Sequence, residues 1–75
     1  MISHIVLLFG PLSDQFESRK MVVEMPKDST VNDVLEHIGV DLKFVKTAIN
    51  GEIVDGSTLL TGPSEIALLP PVSGG

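Results

Sequence analysis

Residues 30–39 constrain the fold more than any other part of the sequence, because they have the pattern of a short amphipathic helix with a signal at each end. Four apolar residues recur at the spacing of one helical stripe: Val31, Val34, Leu35 and Ile38. Thr30 suits the N-cap, and Gly39 suits the left-handed residue that ends a helix. A single amphipathic helix has to bury its stripe, and one apolar face of a β-sheet would cover it.

Two segments before this helix have the pattern of strands. Residues 2–9 are rich in β-branched and large apolar side chains and stop at a Gly-Pro pair, which is typical of a central strand. Residues 20–25 alternate, with three apolar side chains on one face, and are predicted to pair with the first strand as a hairpin. Between them, residues 12–17 indicate a single helical turn with Leu12 and Phe16 on one side.

Three further strands are predicted after the helix. Residues 47–49 and 53–54 flank Asn50-Gly51, and Asn-Gly is the strongest short signal for a type I′ hairpin turn, which needs positive φ at both central residues. Residues 65–69 form the last predicted strand, since the two prolines that follow remove two backbone donors.

The order of these elements predicts the architecture. The first and last strands are the most apolar, so we expect them to lie side by side and parallel in the middle of the sheet. The predicted fold class is α+β, with the β-grasp arrangement of ubiquitin-like proteins: a mixed sheet of four to five strands packed on one main helix. Residues 1–69 form this domain, and residues 70–75 form a flexible C-terminal tail.

Composition excludes several kinds of function. The 75 residues make one domain, and the absence of cysteine excludes a disulfide and a thiolate zinc ligand. The net charge of −5 argues against nucleic acid as a partner. The longest apolar run, residues 5–9, is too short to span a bilayer, and we find no signal peptide, so we expect a cytoplasmic protein without a membrane partner. His4 and His37 have no motif around them, and we expect them to be structural or exposed, with no metal site and no bound cofactor.

The sequence ends in six residues of distinctive composition: Pro70, Pro71, Val72, Ser73, Gly74 and Gly75. The two prolines stiffen the exit from the last strand, and the two glycines can enter a narrow channel. Extended residues 72–75 reach about 14 Å. The segment is either a frayed terminus or a stalk that presents the Gly75 carboxylate to a partner's active site.

Four stretches of the sequence together resemble the small subunit of molybdopterin synthase, a ubiquitin-like sulfur carrier. They are Leu8-Phe9-Gly10, Thr30-Val31 with Val34-Leu35, Ala48-Ile49-Asn50-Gly51-Glu52, and the apolar strand that runs into Pro-Pro-Val-Ser-Gly-Gly. The sequence departs from that family at Leu12-Ser13-Asp14, where Leu-Arg-Glu is frequent, and at Gly62-Pro63-Ser64-Glu65, where Asp-Gly-Asp-Glu is frequent.

The resemblance implies a non-catalytic carrier whose chemistry takes place at Gly75. A ubiquitin-activating-like adenylyltransferase would use ATP to adenylate its carboxylate, and a sulfurtransferase would convert it to a thiocarboxylate. The tail would then insert into the large subunit of molybdopterin synthase, which passes the sulfur to the pterin precursor of the molybdenum cofactor. Residues 70–74 would carry Gly75 into each partner.

Strand parity suggests where these partners dock. If Val6 faces the helix, Leu7 and Phe9 face away from it, and Leu69 does the same on the last strand. These three residues would form an apolar patch beside the tail, which the resemblance makes the docking surface. The parity could instead be reversed, or a loop could cover the patch.

Two other functions fit the same tail. The chain could carry sulfur for another product, such as the thiazole of thiamin or a thiolated tRNA base. It could also be a ubiquitin-like modifier that becomes attached through Gly75 to lysines of target proteins.

Overall fold

The computed structural model describes residues 1–41, 43 and 45–70. They form one five-stranded sheet in the order β2-β1-β5-β3-β4. The elements along the chain are β1 (Ile2–Leu8), α1 (Pro11–Gln15), β2 (Lys20–Met25), α2 (Val31–Ile38), β3 (Lys46–Ile49), β4 (Glu52–Val54) and β5 (Glu65–Leu69). This is the predicted α+β architecture, a mixed sheet with one main helix.

The two central strands are parallel neighbours, as predicted. Val6 of β1 lies opposite Ile66 of β5, and Leu8 lies opposite Leu68. The other three pairings, β1 with β2, β3 with β5 and β3 with β4, are antiparallel. The sheet therefore has β5 at its centre and β2 and β4 at its edges.

Helix α2 begins and ends where the sequence indicates. Oγ1 of Thr30 accepts a hydrogen bond from the backbone N–H of Asp33 at 3.2 Å, and the Asp33 carboxylate accepts one from the N–H of Thr30 at 2.9 Å. This reciprocal capping box satisfies two donors that the first turn would otherwise leave unpaired. Gly39 ends the helix with φ of 81°.

The core lies between α2 and the sheet face that it covers, which we call the inward face. The helix contributes Val31, Val34 and Leu35, each without exposed surface. The central strands contribute Val6, Leu8, Ile66 and Leu68, which are at most 2% exposed. Leu12 and Phe16, at and just after the short α1, pack against this core as partly buried residues, which confirms their predicted orientation.

The β3–β4 hairpin has the turn that Asn50-Gly51 predicts. Asn50 has φ of 51° and Gly51 has φ of 88°, so both central residues are in the positive-φ region. Within the described residues, no helix is long and apolar enough to cross a membrane. Residues 71–75 lie outside the described part of the chain, so the division into a domain of residues 1–69 and a tail stays a prediction.

Candidate functional site: the tail root and its apolar surface

The tail leaves the fold at the carboxyl ends of the two central strands, a place that we call the tail root. Because β1 and β5 are parallel, both strands end at the same edge of the sheet. The N–H of Phe9, directly after β1, donates to the Leu68 carbonyl at 3.3 Å. Strand β5 ends at Leu69, and Pro70 follows it. The first residue of the predicted tail is thus held by the most buried part of the sheet.

Gly10 lies against Pro70 on the other side of the tail root. A β-carbon on Gly10 would be 3.4 Å from Cγ of Pro70. Gly10 has φ of 60° and ψ of −137°, a conformation that side chains rarely adopt. Its carbonyl accepts hydrogen bonds from both the N–H of Ser13, at 3.1 Å, and the Ser13 hydroxyl, at 2.8 Å. This turn fixes the start of α1 beside the exit of the tail.

The sheet face that points away from α2, the outward face, exposes apolar side chains beside the tail root. Leu7 and Leu69 are partly exposed, and Phe9 is 44% exposed. Leu7 lies opposite Ala67, and Leu69 lies opposite the exposed Lys46. The predicted strand parity is confirmed, and no reversal occurs. That these residues dock a partner stays a prediction.

This apolar surface continues across the sheet beyond the residues that the sequence singled out. Val22 of β2 pairs with Ile5, and Ile53 of β4 pairs with Ala48, so all four lie on the outward face. Val22 is 65% exposed and Ile53 is 64% exposed. Sequence reasoning missed both, although the alternation of β2 already placed Val22 opposite the three residues expected in the core.

An open groove of about 460 Å³ lies at the tail root. Its lining consists of Leu7, Leu8, Phe9, Gly10, Ser13, Arg19 and Lys20. Two of the chain's five basic residues therefore stand beside an apolar floor, although the net charge is −5. Such a groove suits an apolar side chain of a partner that has an acidic group next to it. A larger depression, of about 520 Å³, lies on the far side of the sheet between β4 and residues 58–64 and does not touch the tail root.

Two titratable groups of the described residues have shifted pKa values, and both lie away from the tail root. His4 is buried, 1% exposed, and its Nδ1 accepts a hydrogen bond from the N–H of Ser64 at 3.2 Å. Burial lowers the pKa of His4 below its ordinary value. The pKa of Asp55 is lowered by hydrogen bonds from Ser57 within a turn. His4 is thus structural and His37 is exposed, as expected.

The described residues contain no group of three or more His, Cys, Asp or Glu side chains that could hold a metal ion. The acidic residues on and after α2, Asp33, Glu36 and Asp41, are all exposed. Of the predicted site residues, Leu7, Phe9, Leu69 and Pro70 meet at the tail root. The remaining ones lie outside the described residues: Pro71, Val72, Ser73, Gly74 and Gly75.

Comparison with known proteins agrees with this geometry. SAMP1 from Haloferax volcanii has 28% identity and a TM-score of 0.81, over 97% of this chain and 99% of that one. The small archaeal modifier protein 1 from Methanosarcina acetivorans has 24% identity and a TM-score of 0.69, over 100% and 98%. A chain from the complex of subunits 1 and 2 of the molybdopterin-converting factor from Helicobacter pylori has 22% identity and a TM-score of 0.68. The match covers 99% of this chain and 100% of that one. These likenesses show the β-grasp fold.

No curated protein sequence matches the chain. A family model does match, and it covers residues 6–75, from the middle of β1 through the whole tail. Because this match includes nearly the entire chain, the protein belongs to the ThiS family of ubiquitin-like sulfur carriers and modifiers.

Proposed function

We propose that this protein is the sulfur carrier subunit of a molybdopterin synthase and that its Gly75 carboxylate is the group that carries sulfur. The observation that carries the proposal is the sequence Pro-Pro-Val-Ser-Gly-Gly directly after the central strand β5. The strand fixes the base of the tail, and the glycines at its end can adopt whatever backbone angles a partner's channel requires. Membership of the ThiS family supports the same role.

The chemistry needs an activated carboxylate, because a free carboxylate is a poor electrophile. An oxygen of the Gly75 carboxylate attacks the α-phosphorus of ATP in the active site of an adenylyltransferase, and pyrophosphate leaves. Sulfur at the oxidation level of sulfide, delivered by a sulfurtransferase, then attacks the carbonyl carbon of the adenylate. The bond to AMP breaks and AMP leaves, so the product is a thiocarboxylate and one difficult substitution is split into two easier ones. The chain has no cysteine of its own, so the sulfur has to come from a partner.

The carrier itself is a co-substrate rather than a catalyst in this scheme, and no cofactor binds to it. Each partner docks on the apolar patch of Leu7, Phe9 and Leu69 and receives the tail in its active site. The proline rings of Pro70 and Pro71 fix φ at the base of the tail, which limits the ordering entropy to the few residues that enter the partner. The Helicobacter pylori structure is a complex of subunits 1 and 2, which supports a large subunit as the final partner.

The test is to express the protein with its adenylyltransferase and a sulfur donor and to measure its intact mass. We expect the mass gain of one sulfur in place of one oxygen, located on the C-terminal peptide. Removal of Gly75 should abolish both adenylation and the mass gain without changing the circular dichroism spectrum. Gly62→Ala is the matched control, because Gly62 has no neighbouring atom within 4 Å of an added β-carbon and should load normally. Sulfur transfer by the chain without Gly75 would refute the proposal.

A second function, protein modification through Gly75, is favoured by the likeness to SAMP1, a small archaeal modifier protein. The same tail and the same activation would serve it. Isopeptide-linked ladders on target lysines, seen after expression with the activating enzyme, would identify this function. A sulfur carrier for thiamin or tRNA thiolation would gain the same sulfur but would not co-purify with a large molybdopterin synthase subunit.

A further inference from the structure

Strand β2 forms one edge of the sheet along its full length. Its register with β1 is unbroken from Met25, opposite Ile2, to Lys20, opposite Leu7, and it contains no proline and no bulge. Among the residues that the structure describes, no strand lies on its other side. An edge strand of this kind presents a row of unpaired N–H and C=O groups, with the spacing that another strand needs to pair with it.

The hydrogen bonds show which backbone groups of β2 point away from the sheet. The N–H of Leu8 donates to the Arg19 carbonyl at 2.9 Å, so Arg19 uses its backbone groups towards β1. Because these directions alternate, Met21 and Val23 do the same, whereas Lys20, Val22 and Glu24 direct theirs outwards from the edge.

Ser18 confirms this alternation at the start of the strand. Its hydroxyl donates to the Lys20 carbonyl at 2.7 Å and accepts from the Lys20 N–H at 3.3 Å, which is possible because both groups point away from β1. The backbone N–H and carbonyl groups of Val22 and Glu24 point out from the same edge, and Ser18 does not bond to them.

The side chains along this edge have a symmetric pattern of charge. Lys20, Val22 and Glu24 are opposite Leu7, Ile5 and Ser3, respectively, so all three are on the outward face. Each of the three is exposed. A cation and an anion therefore stand at equal distances on either side of an exposed valine.

We propose that β2 pairs in antiparallel fashion with β2 of a second copy of this chain, around a two-fold axis at Val22. In that register the two Val22 residues exchange their backbone hydrogen bonds, and Lys20 of each copy lies opposite Glu24 of the other. Opposite charges directly across two strands stabilise the pair. A shift by two residues in either direction separates both charge pairs, so the charges select this register.

The resulting dimer has one continuous ten-stranded sheet, made of two five-stranded sheets. Pairing through one strand buries less than the roughly 1,200 Å² of a stable interface, so the dimer forms only at high protein concentration. When the copies pair, the backbone N–H and carbonyl of Lys20 exchange their hydrogen bonds with the Ser18 hydroxyl for bonds to the second copy. Strand β5 is the second neighbour of β2, about 10 Å away, and the antiparallel arrangement puts the carboxyl ends of the two β5 strands at opposite ends of the shared sheet. The inference does not rest on the proposed sulfur chemistry, although Lys20 also lines the groove at the tail root.

Amide hydrogen exchange, measured by NMR on the full-length chain at increasing concentration, tests the proposal. We expect the amides of Val22 and Glu24 to exchange rapidly in dilute solution and to become protected at millimolar concentration. The amides of Met21 and Val23 should be protected throughout, because β1 already pairs with them. A chain that stays monomeric at millimolar concentration would overturn the proposal.

Charge reversal identifies the register. Lys20→Glu and Glu24→Lys should each weaken self-association roughly tenfold, because each variant places like charges across the axis twice. A mixture of the two variants should restore association, as a heterodimer, since each Glu of one variant then faces a Lys of the other. Lys46→Glu, on the outward face of β3, is the control and should leave self-association unchanged.

Two results would contradict the proposed pairing. A dimer that is insensitive to Lys20→Glu would be formed by another surface. Protection of the Val22 and Glu24 amides by a peptide of a different protein, while the chain itself stays monomeric, would show that the edge serves another partner.

Discussion

Gly10 lies so close to Pro70 that a β-carbon at position 10 would be 3.4 Å from Cγ of the proline. That distance is an ordinary van der Waals contact, so an alanine would have enough room. The obstacle is the backbone, because φ of 60° with ψ of −137° lies in a region that is essentially restricted to glycine. The turn therefore requires glycine at position 10. The same turn places α1 against the tail root.

Gly10→Ala should lower the free energy of unfolding by about 1–3 kcal/mol, the usual cost of holding a residue with a β-carbon in such a conformation. Urea unfolding followed by circular dichroism measures this change. Gly62→Ala is the control, since an added β-carbon there meets no atom within 4 Å, and it should change stability by less than about 0.5 kcal/mol. Equal stability of the two variants would contradict the strain argument.

Phe9→Ala should weaken binding of the activating enzyme by about 2 kcal/mol, or roughly 30-fold, if the apolar patch is the docking surface. Because Phe9 is 44% exposed, its removal should cost less stability than the 3–5 kcal/mol typical of a fully buried phenylalanine. Isothermal titration calorimetry with each partner measures the affinity. Ile53→Ala removes a side chain that is 64% exposed from the same face, on the edge strand β4 and outside the patch of Leu7, Phe9 and Leu69, and should bind normally.

His4 should make the protein less stable as the pH falls below about 6.5, the ordinary pKa of histidine. Burial lowers the pKa of His4 in the folded state, so the unfolded chain binds the proton more readily and protonation favours unfolding. The stabilising contribution is complete above pH 6.5 and is lost as the pH falls towards the lowered value. Protonation at Nδ1 would also remove the acceptor that the Ser64 N–H uses.

Urea unfolding at several pH values between 5 and 8 measures this dependence. His4→Asn should be less stable at neutral pH, because the buried ring is lost, but its stability should vary less between pH 7 and pH 5. His37→Asn, at an exposed position, is the control for the replacement of a histidine by asparagine. If the stability of His4→Asn depended on pH as steeply as that of the unchanged protein, other titratable groups would be the cause of the dependence.

Thr30→Ala should lower the free energy of unfolding by about 1 kcal/mol, because the Asp33 N–H loses the oxygen that caps it. Asp33→Ala should have a comparable effect through the N–H of Thr30. Since both side chains serve the same cap, the double variant should cost less than the sum of the two single changes. Strict additivity in this cycle, measured by denaturant unfolding, would mean that the two bonds act independently.

The sequence was sufficient to predict the bounds of an element wherever a residue at its end signals the boundary. The predicted bounds of β2 and β5 are those of the structure, because a proline ends each strand. The bounds of α2 followed from Thr30 and Gly39 for the same reason. The first strand was predicted to include Phe9 but ends at Leu8, since the chain already turns at Gly10 with a positive φ.

Contacts between distant residues were beyond local reasoning. Arg19 and Lys20 line the groove at the tail root only because the β1–β2 register returns them to the end of β1. The hydrogen bond between Ser64 and His4 joins residues that are 60 positions apart, and nothing in the neighbouring sequence of either residue indicates it. The Nε2 of His4 has no hydrogen-bond partner among the described residues, an arrangement that sequence patterns do not anticipate.

The central position of β5 has a consequence for how the chain folds. The strand that precedes the tail bonds to both β1 and β3, and its pairing with β1 closes a loop that contains most of the chain. The entropy of closing such a loop has to be overcome before the sheet is complete, which makes this pairing a late and slow step in folding. Until it occurs, the β1–β2 and β3–β4 hairpins have no common sheet, and the tail has no fixed position relative to the apolar patch. A partner that requires both features at once would therefore distinguish folded chains from unfolded ones.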